Sequence, residues 1–156
     1  MGFFSNLKNK ITGGGAKVSL QFEQPSLHNP FNVKVTALVS SNDLKIEKVY
    51  LYIRGIEKTS VRNVEVYEKD MSGDMRLVRK DINGEFEVFP KSEIVVAGAQ
   101  TLNAGQTYEW TASVNIPGGT KPTYKGVTAF HEWQFLAGLD APGNDPDSGW
   151  ITVDLY

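Results

Sequence analysis

The chain has 156 residues, of which 40% are hydrophobic and 22% charged, figures that suit one folded domain and exclude a disordered or fibrous chain. Its 16 basic and 18 acidic residues give a net charge of -2, which argues against nucleic acid as a partner. The absence of cysteine excludes disulfides, thiolate metal sites, iron–sulfur clusters and cysteine nucleophiles.

Residues 1–15 read as a short amphipathic helix and a glycine linker. Phe3, Phe4, Leu7 and Ile11 recur at helical spacing, with Lys8 and Lys10 between them, and Gly13, Gly14 and Gly15 end the pattern. From Ala16 onward the period changes to two. Val18, Leu20 and Phe22 alternate with polar residues up to Gln24. Pro25, Asn29 and Pro30 mark a turn, and Val33, Val35, Ala37 and Val39 then share a face. Ile46 to Ile53 predicts a strand that reads on through Arg54 towards Tyr67, with a bulge or turn at Gly55. Lys69 to Gly84 is polar and predicts a hairpin tip, with Arg76 to Lys80 as a short exposed strand. Glu85 to Phe89 and Glu93 to Val96 read as two more short strands, and Asn103 to Gly105 as a turn. Tyr108, Trp110, Ala112, Val114 and Ile116 alternate up to Pro117. Val127, Ala129, His131, Trp133, Phe135, Ala137 and Leu139 alternate along a long strand, and Ile151, Val153 and Leu155 along the last. Many short strands separated by turn signals predict an antiparallel β-sandwich over 16–156.

The chemistry-bearing residues point away from catalysis. No nucleophile elbow or phosphate loop is present, and the glycine run leads into a strand, not a helix. His28 reads as a turn residue and His131 as a hydrogen-bonded strand residue, with no partner placed for a general base. Asp140, Asn144, Asp145 and Asp147 offer oxygen ligands for calcium, against the more ordinary reading that these side chains bond their own turn. Lys45, Lys48, Arg54, Lys58 and Arg62, and then Arg76, Arg79 and Lys80, are interleaved with acids and read as solvated strand faces.

The C-terminal block carries a resemblance. Ile116-Pro117, Pro122-Thr123-Tyr124-Lys125-Gly126, Trp133 on a long strand, Leu139-Asp140, Asp145-Pro146 and the strand Ile151 to Val153 together resemble the end of an arrestin-type N-terminal domain. The opening Phe-Phe helix, glycine run and Ala16-Lys17-Val18 are similar to the start of the bacterial sporulation-control branch of arrestin-like proteins, and Val49 to Gly55 fits that family's third strand. Members usually carry two such sandwiches in tandem, and this sequence corresponds to the first.

The expected fold is therefore all-β: an immunoglobulin-like, arrestin-type antiparallel β-sandwich with a short N-terminal helix. The resemblance implies a non-enzymatic adaptor or regulatory module that binds another protein and is related to sporulation control, with no cofactor. Phe3, Phe4, Leu7, Lys8 and Lys10 are candidates for contact with a partner or, weakly, a membrane surface. Exposed strand edges are candidates for pairing two copies into a homodimer. The alternative is a carbohydrate- or calcium-dependent binding sandwich, which would need Tyr50, Tyr52 and Tyr67 as a solvent-facing platform. The lack of cysteine, of an apolar run near the ~18 residues that span a bilayer and of a signal-type apolar stretch predicts a cytoplasmic protein.

Overall fold

The computed structural model describes residues 14–156. The expected N-terminal helix, with Phe3, Phe4, Leu7, Lys8 and Lys10, lies outside the described residues. Within them the chain is all-β, with no helix. The strands are β1 (Ala16–Glu23), β2 (Phe31–Val39), β3 (Leu44–Ile46), β4 (Lys48–Lys69), β5 (Met75–Ala97), β6 (Gln100–Leu102), β7 (Thr107–Val114), β8 (Tyr124–Lys125), β9 (Ala129–Asp140) and β10 (Ile151–Val153).

Two antiparallel sheets form the layers. One has the order β1-β2-β7; the other has the order β10-β9-β4-β5, with β8 also paired to β9. β3 and β6 make a small separate pair. The alternation read from the sequence fills the space between the layers. Val18 and Leu20 of β1, Val33, Val35 and Ala37 of β2, Leu51 and Ile53 of β4, and Trp133, Phe135, Ala137 and Leu139 of β9 are all buried there. Phe135 lies 5.1 Å from Phe22 and 6.2 Å from Phe31, ring edge to ring face, a geometry that adds to the burial of three large rings.

The C-terminal residues lock one end of the sandwich. Leu155 is fully buried. Its backbone N–H donates to the Thr123 hydroxyl at 2.8 Å, and its carbonyl accepts from the Thr123 N–H at 2.7 Å. The Trp133 indole N–H donates to the Lys121 carbonyl at 3.0 Å. The segment holding Pro122 is thereby fixed to both the last strand and the core.

Several expectations need correction. Val127 is exposed and precedes β9 instead of opening it. Gly55 is a bulge within a continuous β4, where the register shifts on either side of it; a β-carbon there would sit 2.9 Å from both His131 Nε2 and Phe89 Cβ. The largest correction concerns the polar middle. The hairpin tip is confined to residues 70–74, and what read as three short strands is a single strand of 23 residues. The tip is set by Asp70, whose carboxylate accepts from Ser72 N, Ser72 Oγ and Asp74 N, while Gly73 takes a φ of 95°. These bonds hold the Asp70 carboxyl below its usual range, the Ser72 hydroxyl first among them. Pro90 fits inside β5 because the strand is an edge and Pro90 lies at the register shift between the pairs Gly55–Phe89 and Ile53–Ser92, outside the ladder.

Candidate interaction surface

β4 pairs with β9 only as far as Thr59, opposite Ala129. Beyond that point β4 and β5 continue alone as a two-stranded ribbon from Val61–Ile82 to Lys69–Met75. At ~3.3 Å per residue it projects roughly 30 Å. The strands of the facing sheet have only 8, 9 and 8 residues, so they do not cover it.

The alternation does not stop where the cover stops. Facing partners share a side of the sheet. Val61 faces Ile82, Val66 faces Val78 and Glu57 faces Phe86, and Glu57 in turn faces the buried His131. The side of the ribbon that carries Val61, Val64, Val66, Val78, Ile82 and Phe86 thus continues the core-facing side of the sheet. Phe86 is 66% exposed and Ile82 44%. On the other side Leu77 is 52% exposed and faces Tyr67, which is 70% exposed.

The outer face of the sandwich itself is covered by charge pairs. The Lys48 ammonium donates to Glu93 at 2.7 Å, which holds the Glu93 carboxyl below and the Lys48 ammonium above their usual ranges. Lys58 meets Glu132 at 2.7 Å and Glu85 at 3.8 Å. Arg54 donates to Gln134 at 2.9 Å and lies over the Trp150 ring at 4.0 Å. On the ribbon Arg79 pairs with Glu65 at 2.7 Å, and Lys80 pairs with Glu68. Lys48, Arg54, Lys58, Arg79 and Lys80 therefore sit in the mixed-sign setting expected of them.

The other candidates are dispersed. Tyr50 is 5% exposed and not a solvent-facing ring; its hydroxyl donates to Asp145 at 3.3 Å, and burial first, then Asp145, pushes its phenol above the ordinary range. Tyr52 is half-buried with Lys91 at 4.5 Å over its ring, and Tyr67 lies far along the ribbon. No common platform results. In the Asp-rich loop, Asp145 accepts from Ala141 N at 3.1 Å and Asp147 from Gly149 N at 2.7 Å. No group of three acidic or histidine side chains is placed to hold a metal among the described residues. The melting temperature is accordingly expected to be the same in calcium and in chelator, read by thermal unfolding; a rise with calcium would contradict the turn role of these side chains. His131 is buried, and its Nδ1 lies 2.9 Å from the Pro122 carbonyl. A shallow groove of about 320 Å³ at the ribbon's root is lined by Lys58, Ser60, Asn83, Glu85 and Phe130 among others.

The sequence reading missed Leu77, Ile82, Phe86 and Val88 as surface residues. Their signal was present as apolar side chains scattered through a polar stretch. It was obscured by Asn83-Gly84, a dipeptide that ordinarily signals a tight turn but here lies inside β5.

The two packed antiparallel sheets define a β-sandwich. No family model matches the sequence, and no curated protein matches it either. Among solved structures the chain is similar to Spo0M, the sporulation control protein from Bacillus subtilis, with a TM-score of 0.58 and 16% identity. That match covers 91% of this chain and 49% of the other, so the chain spans about half the length of Spo0M. At this identity the likeness establishes the fold, which is the fold the C-terminal block implied.

Proposed function

We propose that this chain is a non-enzymatic interaction module of adaptor or regulatory type, acting in the cytoplasm, whose contact surface is the β4–β5 ribbon. The observation that carries the reading is the ribbon itself: a long projection with apolar side chains on both faces and an unpaired strand edge. A soluble domain ordinarily avoids such a surface unless something covers it. The likeness to a sporulation control protein supports a regulatory role, and sporulation control is the process we assign on that ground.

The test is a variant in which residues 61–82 are replaced by Asn-Gly, a two-residue connection that suits the facing pair Ser60 and Asn83. No residue from Val61 to Ile82 belongs to the buried core, so the sandwich should melt as before. The variant should lose the proteins that the intact chain captures from its native lysate. Retention of the same set would overturn the assignment of the ribbon, and capture of nothing by the intact chain would overturn the adaptor reading.

A further inference from the structure

We infer that the free edge of β5 pairs with the β5 of a second copy of this chain, antiparallel and centred on Ile82. The inference rests on the ribbon being the contact surface and names its first occupant.

Three observations converge on this register. First, a lone two-stranded ribbon is marginal in water, and three or more strands are needed for stable pairing; two ribbons joined edge to edge make four. Second, the usable edge of β5 runs from Met75, just after the tip, to Phe89, just before Pro90, whose missing N–H ends a ladder. Ile82 is the midpoint of that span. Third, the side chains match themselves about that midpoint. Ile82 faces its own copy, and Val78 faces Phe86 of the partner copy on the uncovered apolar side. Arg79 faces Glu85 of the partner copy on the other side. Asp81 faces Asn83, and no like charges face each other.

Neighbouring registers fail. A one-residue slip turns the apolar side of one strand against the polar side of the other. A two-residue slip one way sets Asp81 against Asp81, and the other way sets Asp81 against Glu85; like charges directly opposite are destabilising. The Ile82 register also brings Val61, Val66, Val78 and Ile82 of both copies onto one face across four strands, with Lys80 between Val78 and Ile82. That enlarged face is the surface a further protein would meet.

The lack of cysteine makes the test clean. In this register the two Cα atoms of residue 82 lie about 4.5–5.5 Å apart, within disulfide range. The two Val88 sites lie roughly 40 Å apart, although Val88 is as exposed (45%) as Ile82 (44%). Light scattering on the unmodified chain should give the mass of two 17.3 kDa chains, falling as the protein is diluted. Mild oxidation should link I82C into a dimer and leave V88C unlinked, with both variants melting like the parent. A monomer at all concentrations would overturn the inference, as would V88C linking as readily as I82C. If the chain is monomeric and ribbon replacement still abolishes capture of another protein, the second-copy assignment falls and the interaction reading stands.

Discussion

Replacing Trp133 with alanine is expected to cost about 3–5 kcal/mol, the usual range for a fully buried Trp truncation. Trp133 is completely inaccessible. Its ring packs 5.1 Å from Phe89 and 5.5 Å, edge on, from His131, so no neighbour can close the void without leaving its own strand. The lost N–H also strands the Lys121 carbonyl, at about 1–3 kcal/mol if water cannot replace it. These effects overlap and do not add. Against a total stability of about 5–15 kcal/mol, the variant should melt roughly 10 °C lower, at about 2–4 °C per kcal/mol for a chain of this size. Trp133→Phe keeps most of the ring volume and should lose markedly less. Circular dichroism melts of the pair measure this; equal, small losses would mean that the indole is not packed as described.

Gly138→Ala is the second large effect. Gly138 faces Tyr50 across β4 and β9, and a β-carbon at 138 would overlap the Tyr50 hydroxyl and the ring carbon that bears it. The ring cannot swing out cheaply, because its hydroxyl donates to Asp145 and Asp145 also closes the turn at Ala141. Overpacking of this kind costs about 1–3 kcal/mol. The cause is testable apart from the cost. In a Tyr50→Ala background the added methyl has room, so a double-mutant cycle should show strong coupling between the two sites. Additive losses would show that the phenol is not what excludes a side chain at 138.

The layers of the sandwich were legible because a half-buried strand must alternate. Val33 to Val39 and Trp133 to Leu139 follow that rule without interruption and fold as read. The bulge at Gly55 was legible as an alternative, since a glycine inside a strand marks a bulge or a turn, and packing against His131 and Phe89 decides between them. The ribbon was not legible for a physical reason. Its turn depends on one carboxylate, Asp70, gathering three donors, whereas Gly84 and Pro90 look like stronger breaks. Both are tolerated: β5 is an edge and Pro90 lies at a register shift outside the ladder, and Gly84 leaves room for the Thr59 hydroxyl and the Phe86 ring. The contact surface was missed with it. Only the lengths of the facing strands reveal that Ile82 and Phe86 continue the core side past the point where the core is covered.

Amide hydrogen exchange along β5 tests the central claim most directly. In a free edge strand the amides alternate between those bonded to β4 and those open to water. The pairing described here closes both sets. The account predicts that outward-facing amides between Arg76 and Val88 exchange slowly at high protein concentration and faster on dilution, while the tip at 71–73 exchanges fast throughout. Rapid exchange of those amides at every concentration, with or without a captured protein, would contradict it.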